Sequence, residues 1–223
     1  RNQRLTSMGE MAANLAHQLR TPLSTALLYA NHLGSDALSP DERQKFATKN
    51  IERLKHLEHL TNDMLRFVKG ETIQLENIII SDLLAELQQV IEPQMMQHDL
   101  QLIVHDHSQT EHLMTDHQAL CSVMINLLEN AMQASSPGDQ IILICNLEEE
   151  NIVLSVHDDG PGIDMALQER LFEPFFTTRS EGTGLGLAIV RGVIQSMGGS
   201  VQIHSLPDEG SEFVIRLPRN KGD

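Results

Sequence analysis

Apolar residues in the first seventy positions return at steps of three, four or seven. Leu5, Met8, Ala12, Leu15, Leu19, Ala26, Ala30 and Leu33 make one such seam, the mark of a long amphipathic helix. Gly34 to Pro40 reads as a turn, and Ser39-Pro40-Asp41-Glu42 is a good helix start. The second helix that follows places Phe46, Ile51, Leu54, Leu57, Leu60, Met64, Leu65 and Val68 on its buried side. Two antiparallel helices bury too little apolar surface alone. Pairing with a second copy into a four-helix bundle is the natural solution, so a homodimer is expected.

From Thr72 onward the period changes. Residues 73–80 read as a strand, 81–91 as a helix, and 100–105 and 113–115 as short strands. Residues 116–135 read as a helix capped by Asp116, and 141–147 with 152–157 as a hairpin. Helices near 165–172 and 185–197 and strands at 201–205 and 212–217 complete a mixed sheet covered by helices on one face, an α/β sandwich. The charge balance changes at the same place. Residues 1–70 carry 10 Lys/Arg against 7 Asp/Glu, and residues 71–223 carry 6 against 24. A domain boundary is therefore expected at Gly70, separating residues 1–70 from 71–223, and the acidic second part argues against a nucleic-acid partner. Cys121 and Cys145 fall in apolar company and read as buried free thiols, which suits a reducing cytoplasm. No apolar run approaches the roughly 18 residues of a membrane span, and no signal peptide is expected. The chain begins at Arg1 without an initiator Met, as a fragment of a longer protein would.

Four motifs carry chemistry. In Ala16-His17-Gln18-Leu19-Arg20-Thr21-Pro22-Leu23, His17 lies two residues from both Leu15 and Leu19 and so points away from the seam, as a nucleophile must. Asn126 and Asn130, four apart, project from one face of one helix, and amide oxygens suit Mg²⁺, a hard cation commonly shared with substrate phosphates. Asp158 ends a strand and enters Asp159-Gly160-Pro161-Gly162. Gly182-Thr183-Gly184-Leu185-Gly186-Leu187 opens a helix, where exposed amides beside residues without side chains bind phosphate well. A dinucleotide-binding βαβ reading fails, because the following parallel strand and its acidic partner are missing.

In this order, over this plan of elements, the motifs resemble the dimerisation and ATP-binding core of two-component sensor histidine kinases, and the resemblance covers nearly all 223 residues. It implies an all-α hairpin, forming a dimeric four-helix bundle, followed by a Bergerat-type (GHKL) ATP-binding sandwich. It implies that His17 takes the γ-phosphate of ATP and passes it to an Asp of a response regulator, with phosphatase activity toward that regulator as a companion. In such kinases the first Asp of the glycine motif accepts from the adenine amino group, which falls here on Asp158, with Gly160 and Gly162 beside it. Asn130 becomes the Mg²⁺ ligand and Asn126 its support. Leu171 to Arg179 resembles the family's phenylalanine box, hinging a short lid that includes Phe175, Thr177 and Arg179. Gly182, Thr183, Gly184, Leu185, Gly186 and Leu187 fall to the phosphates. Thr21, one turn beyond His17, would orient the water that hydrolyses phospho-aspartate. The wording of the histidine motif and the short lid are most similar to cytoplasmic kinases of the nitrogen-regulation type, those controlling flagellar genes in particular, whose regulators include the enhancer-binding kind.

Two positions depart from the resemblance. Gln133 stands where many members carry a basic residue, so phosphate charge would rest on Mg²⁺, loop amides and Arg179. Gln18 stands where most carry Glu or Asp. A carboxylate there accepts the imidazole Nδ1 proton and stabilises the charge of attack, whereas the Gln carbonyl can fix the tautomer but is no base. Two other readings share parts of the pattern. Gyrase-like, chaperone and mismatch-repair ATPases use a Glu general base at the place Asn126 occupies. A docking scaffold that has lost catalysis would be compatible with Gln18 alone.

Overall fold

The computed structural model describes residues 19–35, 38–69, 73–108, 111–179 and 182–219. The chain divides into two compact units, residues 1–69 with 179–183, and residues 70–178 with 184–223.

The first unit is a helical hairpin. Helix α1 covers 19–33 and α2 runs Pro40–Lys69. Ser39 and Glu42 form a reciprocal capping box: the Ser39 N–H and hydroxyl donate to Glu42 Oε2 at 3.0 and 2.7 Å, and the Glu42 N–H donates back to Ser39 Oγ at 3.3 Å. Those bonds from Ser39 lower the pKa of the Glu42 carboxyl. Arg43 closes the turn, its guanidinium donating to the carbonyls of Leu33 and Ser35 at 2.8 and 3.3 Å, so a cation satisfies acceptors at the end of α1. Tyr29 and His32 pack on Phe46, with ring centroids 6.0 and 5.0 Å away. Ala26 and Leu60 are buried. Ile51, Leu54 and Leu65, expected on the buried side of α2, are instead 50 to 54% exposed, and Leu23, Leu27 and Leu28 of α1 are equally open. A lone hairpin covers only the stripe facing its partner helix, so the rest of the apolar surface is left uncovered. The seam residues Leu5, Met8, Ala12 and Leu15 lie outside the described residues, as does the side chain of Val68.

The second unit runs β1(Glu76–Ile79), α3(Ile80–Gln97), β2(Gln101–Asp106), β3(His112–Thr115), α4(His117–Ala134), β4(Gln140–Leu147), β5(Asn151–Asp158), α5(Met165–Gln168), a 3₁₀ turn at Arg170–Phe172, α6(Gly186–Ser196), β6(Ser200–Ser205) and β7(Ser211–Pro218). Five strands form a mixed sheet in the order β2-β4-β5-β7-β6. Only the β2–β4 pair is parallel. Alternation in β4 turns Ile141, Leu143 and Cys145 to the core, where they meet Ile152, Leu154 and Val156 of β5 and Ile215 and Leu217 of β7. Leu84, Leu87 and Ile91 of α3, Leu120, Met124, Leu127 and Leu128 of α4, and Val190 and Ile194 of α6 close over this face. The result is the expected helix-on-sheet sandwich.

Three local readings are corrected. Residues 73–80 do not form one strand: β1 starts at Glu76, and Ile80 already begins α3 with no intervening loop. β1 pairs antiparallel with β3 in a separate two-stranded sheet, Glu76 opposite Thr115 and Ile79 opposite His112. Helix α3 does not stop at Ile91 but continues through Pro93 to Gln97. Proline within a helix costs about 3 kcal/mol, and the burial of Met95 in line with Leu87 and Ile91 offsets it, since a buried side chain of this size contributes about 1.5–3 kcal/mol. Residues 165–172 are two short pieces, α5 and the 3₁₀ turn, instead of one helix. The Asp116 cap forms as expected, with Asp116 Oδ1 accepting from the Ala119 N–H at 2.9 Å. Cys121 and Cys145 are buried free thiols. None of the described helices is long and apolar enough to cross a membrane.

Candidate active site

Helix α4 is the spine of the site. Its inner face is Leu120, Met124, Leu127, Leu128 and Ala131, all buried, which turns the half-buried Asn126 and Asn130 toward the other side. Asn130 Nδ2 donates to Asn126 Oδ1 at 3.0 Å. That bond orients both planar amides and sets the Asn130 oxygen on the side away from Asn126.

Both glycine loops of the second unit touch this helix. At the start of α6, a Cβ on Gly186 would sit 2.8 Å from Asn126 Nδ2 and 3.0 Å from its Oδ1, so only glycine lets the loop lie against the amide. Leu185, the N-cap of α6, is fully buried and offers no side-chain acceptor to the helix's first N–H groups. A helix start uncapped by its own side chain suits a phosphate oxygen. At the other end, a Cβ on Gly160 would come 2.9 Å from the Ala134 carbonyl and 2.7 Å from Asp158 Oδ1. Asp158 is 2% exposed at the end of β5, and its Oδ1 accepts from the Gly160 N–H at 3.0 Å. From Asn126 to Ala134 is eight residues, about 12 Å along a helix. That span suits an elongated ligand with an anionic end at α6 and a hydrogen-bonding end at Asp158.

The remaining predicted residues fall as follows. Gly162 has φ +69° in the loop after Asp158. Asp159 is exposed and its carboxylate lies 3.4 Å from His157 Nε2. The Phe175 N–H donates to the Gly184 carbonyl at 2.8 Å, tying the phenylalanine segment to the second glycine loop, and Phe175 itself holds a left-handed φ of 68°. Arg170 lies over the Phe176 ring at 4.2 Å. Thr177 is half-buried and Arg179 exposed. The Gly182 N–H donates to the Arg179 carbonyl at 3.3 Å, within the short segment that holds Thr183. Leu187 packs against the hydrophobic core. Gln133 is exposed on α4. In the helical unit Thr21 is exposed, and its carbonyl accepts from the Thr25 hydroxyl at 3.0 Å. His17 and Gln18 lie outside the described residues.

Sequence reading missed the polar brace that holds the Asp158 loop. Ser205 Oγ accepts from the Ile163 N–H at 2.8 Å and donates to the Gly210 carbonyl at 2.7 Å. Gln168 Nε2 donates to the carbonyls of Ile163 and Ser205 at 2.9 and 2.8 Å. The Asp208 N–H reaches the Pro161 carbonyl at 2.8 Å. A lone serine and a lone glutamine give no pattern in one sequence.

Mg²⁺ suits the donor set at α4, because amide oxygens are hard ligands and the glycine against Asn126 leaves no side chain to crowd them.

Residues 115–221 match the family described as histidine kinase-, DNA gyrase B- and HSP90-like ATPase. Residues 7–73 match the His Kinase A (phospho-acceptor) domain, and in carrying both domains the chain is similar to the sensor histidine kinases. The chain is 40% identical over 218 residues to the sensor protein kinase FleS of Pseudomonas aeruginosa, covering 98% of this chain and 54% of that protein. It is 29% identical to the sensor histidine kinase ZraS of Escherichia coli, over 99% of this chain and 47% of that one. It thus spans about half the length of these curated relatives. The fold matches the histidine kinase ThkA in its complex with the response regulator TrrA at a TM-score of 0.85 and 24% identity, over 98% of this chain and 64% of that one. It also matches full-length ShkA in complex with AMPPNP at 0.71 and 27% identity, over 94% and 46%.

Proposed function

We propose that this chain is the catalytic core of an ATP-dependent protein-histidine kinase, with phosphotransfer residues 1–70 and ATP-binding residues 71–223. The observation that carries the reading is the contact of one helix, α4, with both glycine loops, its asparagines at the α6 start and its last residue under the Asp158 loop. Asp158 accepts from the adenine amino group, while the Gly184–Gly186 amides and the α6 start receive the phosphates. Asn130 holds Mg²⁺ with Asn126 behind it, and the ion neutralises phosphate charge when bound. Phe175, Thr177 and Arg179 belong to the lid, and Gly182, Thr183 and Leu187 flank the phosphate loop.

The nucleophile is the unprotonated Nε2 of His17. Its lone pair forms a bond to the γ-phosphorus as the bond to the β–γ bridging oxygen breaks and ADP leaves, while Gln18 accepts a hydrogen bond from Nδ1–H. The phosphoryl group then passes to an Asp carboxylate of a response regulator receiver domain. Thr21 serves the reverse duty, positioning water against the phosphorylated regulator. Two copies pair through the open leucine faces of α1 and α2, and the core works in the cytoplasm. An amide at Asn126 cannot take a proton from water, which favours transfer to a protein nucleophile over hydrolysis.

Incubation with γ-labelled ATP tests the reading. An acid-labile, base-stable label is expected, lost in His17→Ala while that variant still binds nucleotide. Asp158→Ala should lose nucleotide affinity and remain dimeric. Hydrolysis without label would make the protein an ATPase, and label retained by His17→Ala would move the acceptor elsewhere.

A further inference from the structure

Away from the nucleotide face, three side chains of different chemistry converge where α3 meets the first turns of α4. His117 and Cys121 are four apart on α4 and share one face. Glu86 reaches them from α3. His117 Nε2 lies 2.9 Å from Glu86 Oε2 and 3.7 Å from Cys121 Sγ, and all three potential ligand atoms fall within 4.8 Å of one another. Zn–S and Zn–N bonds of about 2.3 and 2.0–2.1 Å at a tetrahedral angle give an S···N edge of about 3.6 Å, close to the spacing present.

We propose that Glu86, His117 and Cys121 form a binding site for a zinc-class divalent ion that clamps α3 to α4. A thiolate, an imidazole and a carboxylate together select a borderline metal over Mg²⁺ or Ca²⁺, which prefer oxygen alone. Cys121 is buried, His117 partly exposed and Glu86 about half exposed, so the ion can enter from solvent and keep water as its fourth ligand. Binding displaces the Cys121 thiol proton, and His117 presents a bare Nε2 with its proton on Nδ1. The Nε2···Oε2 distance then opens from a hydrogen bond to a ligand–ligand edge. Burial and the neighbouring Glu86 carboxylate push the free thiol up to about 11, so uptake releases a proton near neutral pH. The centre of the cluster is about nine residues before the Asn126–Asn130 pair, some 13 Å along the helix and half a rotation around it. The clamp is therefore separate from the nucleotide site and acts on the packing of the helix that carries it.

Titration of untagged, nucleotide-free protein with Co²⁺ tests this. One Co²⁺ per chain is expected, with a thiolate-to-cobalt charge-transfer band that Zn²⁺ bleaches and excess Mg²⁺ does not. C121S should lose the band while still binding MgATP, which reports that it is folded. H117Q and E86Q, altered at partly exposed positions, should retain the fold and bind at least about tenfold more weakly. Zn²⁺ should raise Tm in the wild type and not in C121S. No band in the wild type, or an undiminished band in C121S, overturns the proposal.

Discussion

Gly186→Ala is a demanding test of the site because it separates binding from stability. The added Cβ would lie 2.8 Å from Asn126 Nδ2 and 3.0 Å from Oδ1, closer than carbon tolerates. The obstruction is the end of a flexible side chain, so Asn126 rotates away and gives up the hydrogen bond from Asn130. A net bond of this kind is worth about 0.5–1.5 kcal/mol. Against it, alanine in a helix gains up to about 1 kcal/mol over glycine, and φ at Gly186 is not among the positive values. The two terms nearly cancel, so urea denaturation should place the variant within about 1 kcal/mol of the parent. MgATP affinity, by contrast, should fall tenfold or more, because an interaction with a charged group is worth about 1.5–3 kcal/mol and about 1.4 kcal/mol is a factor of ten. Gly192→Ala on the same helix is the control. Nothing lies within 4 Å of its added Cβ, so it should stabilise by up to about 1 kcal/mol and leave titration calorimetry with MgATP unchanged. A Gly186→Ala variant that binds MgATP as tightly as the parent would refute the role given to the Asn126–Asn130 pair.

Gln18→Glu should raise the autophosphorylation rate by at most about a hundredfold, since general-base help is typically worth 10²–10⁴ and the amide already holds the tautomer; a slower variant in a single-turnover assay would mean a site built around the amide. Thr21→Ala should slow dephosphorylation of the phosphorylated regulator and spare labelling of His17, whereas equal loss of both would indicate a structural role beside Pro22. The Cys145 thiol, pushed up to about 12 mainly by burial and further by Asp106, makes stability depend on pH in a definite direction. The unfolded chain ionises this thiol at its ordinary value while the folded chain keeps the proton, so its contribution is full below about pH 9 and declines toward about pH 12. Cys145→Ser should flatten that decline in denaturant midpoints measured across the range, and an unchanged slope would exclude the thiol as its source.

Much of the architecture was legible because burial imposes its period on the sequence. The alternation of Ile141, Leu143 and Cys145 marked β4, and the Asp116 cap marked the start of α4 within a residue. What escaped notice depends on contacts between distant positions. Nothing local in Ile78-Ile79-Ile80 says that the strand yields to a helix at Ile80, and the pairing of β1 with β3 spans a complete helix and strand. Pro93 reads as a stop signal, and only the burial of Met95 explains why α3 ignores it. At the candidate site, Asn126, Asn130, Asp158 and the glycines announce themselves through spacing. Ser205 and Gln168 do not, because their task is to hold other residues' backbone, and many residue types could have been chosen for it.

The brace through Ser205 and Gly210 has a consequence for anyone who alters this protein. The turn between β6 and β7 is exposed at Leu206, and an exposed hairpin turn is ordinarily where epitope tags and inserted domains are tolerated. Here the Asp208 N–H is bonded to Pro161, and Gly210 lies against the backbone of Asp158. An insertion at 206–210 would be felt directly in the Asp158 loop. The β4–β5 turn at Glu148–Glu150 is tied instead to Arg219 and Arg216 on the far end of β7. It is the better address for a reporter that must leave the Asp158 loop undisturbed.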